Sequence, residues 1–249
     1  MRLFRVTKYN PKYRNSEGHY LPDEWTCPSE VGKVFNGNTF TKKQYFEIEN
    51  KYIEAIVSVL QFENLDHLRI TNLCTDYCEE NLADKTHLWL VEKEFTDIEL
   101  FEDKPVLVSE LPILLKMIFR NFIWCKLEIN NLFYLSVEWD FYMFIATPNC
   151  NRDTFNEAQE TGLFVEEVDS TFSPHNGMFQ IDYGRKNTDL VEGEVSLENM
   201  SVEKIKSGLS LSDEHTGSHN FEITNDNCSM FLSEMKFDFD KFDYYLFSE

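Results

Sequence analysis

The stretch WCKLEINNLFYLSVEWDFYMFIA, Trp124 to Ala146, decides the fold class of this 249-residue chain. WCKLEI and LFYLSVEW flank Asn130-Asn131, a pair suited to a tight turn, and FYMFIA follows Asp140. Aromatic and branched residues between turn formers read as strands. The runs are almost continuously apolar, as in the central part of a sheet. The stretch therefore predicts an antiparallel meander in the middle of a sheet.

Upstream, the period is helical. Thr41-Lys-Lys-Gln44 fits a capping box, and Tyr45, Ile48, Tyr52, Ile56, Val59 and Leu60 follow at helical spacing. Ser109 is read as the cap of a second helix, with Pro112 in its first turn before ILLKMIFRNFIW. MRLFRVTKY and Leu65–Leu73 read as strands, FNGN (35–38) as a turn and Asp76–Ala83 as a weaker helix. Pro28-Ser29-Glu30 starts a short helix capped by Ser29 or Thr26, and residues 86–104 fit helix or strand equally.

Downstream, strands are expected at 162–168, 178–183, 219–224 and 229–240, with a short helix from Ser201 to Lys206. Residues 182–200, DYGRKNTDLVEGEVSLENM, read as a linker because apolar content falls and charge rises. The expectation is an α+β fold, helices mainly in the first half and an antiparallel β-sheet in the second. Residues 1–186 would form one α+β domain. Residues 187–249 would form an acidic, β-rich extension packed on the same sheet.

Charge is the strongest compositional signal. Twenty-three basic residues face 44 acidic ones, a net of −21. Residues 1–60 carry nine basic and seven acidic residues, whereas residues 151–249 carry seven and twenty-one. Such a field repels phosphate backbones and speeds encounter with a basic protein. No run of eighteen apolar residues occurs and MRLFRVTKYN lacks an apolar signal core, so a cytoplasmic location without membrane contact is expected. The six cysteines form no C-x-x-C pair. Cys74 and Cys78 alone make a poor zinc site, so reduced thiols are expected.

Chemistry-bearing residues gather in YRNSEGHYLPDEWTCPSEVGK, Tyr13 to Lys33, but without a nucleophile motif. Tyr13, Tyr20 and Trp25 read instead as anchors pinning a loop to the core, with Asp23 and Glu24 serving the backbone nearby. Phosphate-cradling glycine motifs are absent. Asp213, Glu214, His215 and His219 are the best metal candidate, on a stretch that reads as a loop. No cofactor, metal or catalytic residue is assigned.

FRVTKYNPKYRNSEGHYLPDEWTCPSEVGKVF resembles the opening of a group of bacterial proteins of unassigned role, with N-P-x-Y-R…G-x-Y…D-E-W-T after a first strand. WCKLE, FYMFI and GLFVEEV are similar to that group too, so the resemblance covers about the first 170 residues. It carries over no catalytic residue. The general type is similar to acidic, non-catalytic immunity proteins.

Three function classes follow. The first is an immunity- or antitoxin-like inhibitor neutralising a basic toxin or nuclease through an acidic–aromatic surface. Its expected residues are Glu166, Glu167 and Asp169 near one strand end, and Asp238, Asp240, Asp243, Tyr244 and Tyr245. There, carboxylates alternate with Phe237 and Phe239 along a strand, and a change of phase at Lys241-Phe242 implies a turn. The second is a nucleic-acid mimic acting on a DNA-binding protein. The third is a metal-dependent enzyme built on Asp213, Glu214, His215 and His219.

Overall fold

The computed structural model of the protein describes residues 1–75, 85–168, 179–188, 190–217 and 219–248. The chain divides into two units, Met1–Phe172 and Ser173–Glu249. The fold is α+β, and every strand pairing described is antiparallel.

The first unit opens with β1 (Arg2–Thr7) and a small hairpin, β2 (Val34–Phe35) and β3 (Asn38–Thr39). Asn36 and Gly37 turn that hairpin with φ of 49° and 79°, the left-handed pair that a two-residue loop demands. Helix α1 (Lys42–Glu63) starts on the expected capping box. The Thr41 hydroxyl accepts the Gln44 N–H and the Gln44 side chain accepts the Thr41 N–H. β4 (His67–Cys74), β5 (Pro105–Leu107) and helix α2 (Leu111–Phe119) follow. Next come β6 (Trp124–Ile129), β7 (Phe133–Val137), β8 (Met143–Thr147), helix α3 (Asn156–Glu160) and β9 (Phe164–Val168).

The strands form one seven-stranded sheet in the order β5-β4-β6-β7-β8-β1-β9. The meander β6-β7-β8 is its centre, as the opening stretch predicts. Ile70, Leu127, Leu135, Ile145 and Phe4 lie side by side across five strands, all buried. A row of this kind must be covered. Tyr52, Ile56, Val59 and Leu60 of α1 and Leu114 and Leu115 of α2 join the same core. The tyrosine hydroxyls buried with them are satisfied. Tyr45 donates to the Phe119 carbonyl and Tyr52 to the Phe141 carbonyl.

One buried charge pair crosses this core. Arg120, just after α2, meets the Glu49 carboxylate of α1 with two hydrogen bonds of 2.7 and 2.6 Å, and both side chains are almost wholly buried. Glu92 and the Leu90 carbonyl accept two of its other donors. Burial works against the guanidinium, but hydrogen bonds and charge from Glu49 and Glu92 outweigh it and raise the Arg120 pKa.

The expected order holds in outline: β6 to β9 come from the second half of the chain, and β1 and β4 are the strands expected at MRLFRVTKY and Leu65–Leu73, joined by β5. Other expectations are corrected. Residues 86–104 settle as neither helix nor strand but as 3₁₀ turns, Lys85–Leu90 and Lys93–Thr96. Glu110, not Ser109, stands at the start of α2, and its carboxylate accepts the Leu107 N–H. The 3₁₀ turn Pro28–Glu30 has Cys27 at its start. Glu30 reaches back to the Thr26 N–H, so neither Ser29 nor Thr26 caps it. The expected helix at Asp76–Ala83 lies outside the described residues. Among the described residues no helix is long and apolar enough to cross a membrane.

The second unit contains β10 (Phe179–Arg185), β11 (Val191–Ser196), helix α4 (Val202–Leu209), β12 (Phe221–Ile223) and β13 (Phe242–Ser248). Its own four-stranded sheet runs β11-β10-β13-β12. The division therefore falls before the β10–β11 hairpin, not at residue 187 within it, and residues 187–249 do not extend the first sheet. The stretch read as a linker holds β11. Its low apolar content reflects a strand whose side chains are largely exposed. Residues 229–240 are not a strand either. Phe237 and Phe239 stack on each other at 5.3 Å, and both meet the Tyr244 ring edge-on. The strand starts at Phe242, after a turn at the expected phase change. Phe179, Ile181, Ile205, Ile223, Phe231 and Leu246 form this unit's core.

Candidate functional site

In a strand, successive side chains point to opposite faces. In the second sheet, Ile181, Ile223, Tyr244 and Leu246 point into the core. The residues between them form the other face. Asp182 lies opposite Glu194 on one side and Tyr245 on the other, and Tyr245 lies opposite Glu222. The result is a row across all four strands: Glu194, Asp182, Tyr245, Glu222. Beside it runs a second row, Ser196, Gln180 and Phe247. Tyr245 is 45% and Phe247 41% exposed.

Directly opposed like charges destabilise a sheet. Asp182 and Glu194 are such a pair, and among the described residues no lysine or arginine lies within ion-pair distance of Asp182, Glu194 or Glu222. The Gln180 amide donates to Asp182 at 2.6 Å. Two cations sit at the end of the face. Arg185 pairs with Glu192 at 2.7 Å, and Lys186 approaches Asp243 at 4.0 Å. The centre thus keeps uncompensated negative charge around two exposed rings.

The residues expected from the sequence divide unevenly. Tyr245 is central to this face and Asp243 lies at its edge, opposite Gly184. Tyr244 points the other way. It is buried, and its hydroxyl accepts the Asp238 N–H at 2.9 Å, which corrects its assignment to a surface. Asp238 pairs with Lys241 at 2.8 Å, and Asp240 is exposed in the turn before β13. Glu166 and Glu167 belong to β9 of the first unit, where arginines answer their charge. Arg14 and Arg5 reach Glu166 at 2.6 and 3.1 Å, and Arg2 holds Glu167 with two bonds of 2.7 Å. Burial alone would raise the Glu166 pKa, but Arg14 and Arg5 prevail and lower it. Asp169 lies outside the described residues.

Asp182, Glu194, Glu222 and Phe247 were not expected at a site. A signal for two of them existed, because alternation in FQIDY and FEI already places Asp182 and Glu222 opposite the apolar face. Glu194 carries no such signal, because its strand has the composition of a linker.

The polar loop from Tyr13 to Lys33 serves the fold at its aromatic anchors. Trp25 stacks on Phe40 at 4.2 Å and meets Phe141 edge-on, while the Tyr20 hydroxyl donates to Glu24. Tyr13 is exposed rather than anchored. His19 contacts Glu17, and Cys27 contacts Ser29. In the second unit, His215 is buried, its Nδ1 accepts the Gly217 N–H, and its ring lies 6.3 Å from that of His219. Among the described residues no group of three or more His, Cys, Asp or Glu side chains is arranged to hold a metal ion.

Residues 178–247 match a family model described as a domain of unknown function (DUF7683). That segment runs from the start of the second sheet to Phe247 and contains the whole acidic–aromatic face. No curated protein and no solved structure matches the chain.

Proposed function

We propose that this chain is a non-catalytic binding protein, an immunity- or antitoxin-type inhibitor that covers a basic surface of a toxin or nuclease with the outer face of its second sheet. The row Glu194, Asp182, Tyr245, Glu222, which has no internal cation, carries this reading. A lysine- or arginine-bearing partner would relieve the opposed carboxylates and bury the two rings, combining charge steering with aromatic anchoring. The row crosses four strands spaced about 4.8 Å apart and is interrupted by a tyrosine. A short, broken patch suits a protein surface better than the regular charge stripe of a nucleic-acid mimic.

The test compares the native chain with a variant carrying Asp182→Asn, Glu194→Gln, Glu222→Gln and Tyr245→Ala as bait in cells that make the protein. A basic partner should be retained by the native chain, released as salt rises, and bound at least about 100-fold more weakly by the variant. Equal retention by both baits, or turnover of a substrate by the purified chain, would overturn the reading.

A further inference from the structure

Trp139 lies in the connection between β7 and β8 and is 77% exposed, more than any other large apolar side chain described. Trp25, Trp89 and Trp124 are all partly buried. Among the described residues, no aromatic ring or cation packs against the Trp139 indole.

The backbone beside it is strained. Asp140 and Phe141 are consecutive left-handed residues, with φ of 60° and 61°. An aspartate tolerates that region, but a phenylalanine does so rarely. The interior enforces it. The buried Phe141 ring packs against Trp25, Tyr45, Tyr52 and Phe119. The Tyr52 hydroxyl holds the Phe141 carbonyl at 2.7 Å, the Glu138 N–H donates to the Tyr142 carbonyl, and the Tyr142 N–H donates to that of Trp139. The turn is gripped from inside, and the grip sends Trp139 outward. Strain maintained by its surroundings often marks a functional surface.

Two carboxylates flank Trp139 along the chain: Asp140, which is exposed, and Glu138, which is half-buried and accepts the Ser136 hydroxyl. An aromatic face flanked by negative charge suits a cation, and a guanidinium stacks on an indole better than an ammonium does. A nucleobase would stack too, but its phosphates would meet both carboxylates.

We propose that the β7–β8 turn is a second docking point, at which an arginine side chain of a protein partner lies on the Trp139 ring with Glu138 and Asp140 as counter-charges. The proposal is independent of the second-sheet face.

The test follows the four tryptophan indole N–H resonances of the full chain as a capped tri-arginine peptide is added. The resonance missing from Trp139→Ala should shift saturably while the other three stay in place. A capped tri-citrulline peptide, of similar shape without charge, should leave it unmoved. Glu138→Gln with Asp140→Asn should weaken the shift about tenfold, and asparagine suits the left-handed position, so the turn is kept. The variant that neutralises Asp182, Glu194 and Glu222 should retain the full response. The proposal fails if tri-citrulline gives the same shift, if neutralising Glu138 and Asp140 leaves it unchanged, or if a thymidine oligonucleotide moves the resonance where the peptide does not. It fails equally if the response disappears with the second-sheet variant.

Discussion

Lys8 is almost completely enclosed: its side chain is 4% exposed, with the ammonium 4.0 Å from the Trp25 ring centre and 4.2 Å from that of Tyr9. Burial pushes its pKa down to about 8, against an opposing pull from Glu24 at 3.4 Å. The unfolded chain holds the proton up to its ordinary pKa of 10.5. Between these values the unfolded state binds more protons, so raising the pH stabilises the fold. Below pH 8 both states are protonated and the cost is fully present, on the order of 3 kcal/mol at 1.36 kcal/mol per pH unit. Urea unfolding of the native chain and of Lys8→Met between pH 7.5 and 9.5 should show the native chain gaining stability relative to the variant as pH rises. Parallel curves would contradict this.

Arg120 gives the opposite case, a buried charge fully answered. Arg120→Met leaves the Glu49 carboxylate buried without its main partner, and should cost about 3–5 kcal/mol in the unfolding of the first unit. Adding Glu49→Leu should recover much of that loss, because a matched apolar pair replaces a matched ionic one. The measurement is a double-mutant cycle by chemical denaturation.

Strand β11 has room for no side chain at its centre. Gly193 lies opposite Tyr183, and a Cβ built on it would stand 2.4 Å from the tyrosine hydroxyl oxygen. The ring occupies the space a side chain would need. Gly193→Ala should therefore destabilise the second unit by about 1–3 kcal/mol, and Tyr183→Ala in the same chain should remove most of that penalty. The same glycine explains why the strand was illegible in sequence. Glycine is a poor strand former and Glu192, Glu194 and Ser196 read as loop, so the local pattern gives no hint of the ring and neighbour that hold it. By contrast, α1 and the meander were legible because their caps, periods and turns are all local signals. The acidic face was half legible. Tyr245 and Asp243 follow a turn that the change of phase at Lys241-Phe242 marks, whereas the inward direction of Tyr244 depends on an alternation that begins only at Phe242.

At the scale of the whole molecule, residues 173–249 carry six basic and fifteen acidic residues and possess a core of their own. Expressed alone, Ser173–Glu249 should unfold cooperatively, with dispersed amide resonances in the native state. Its thermal midpoint should rise as sodium chloride is added, since salt screens the opposed carboxylates of the second sheet. A midpoint that falls with salt would mean that the acids are internally compensated.

The position of β1 has a consequence for biosynthesis. Leu3 pairs with Ala146 on one side and Val168 on the other, so β1 fills a gap between strands encoded far downstream. As the chain leaves the ribosome, Phe4 and Val6 emerge long before any surface exists to receive them. The sheet cannot close until β8 and β9 have both cleared the exit tunnel, and until then this segment is exposed to chaperones and to mispairing.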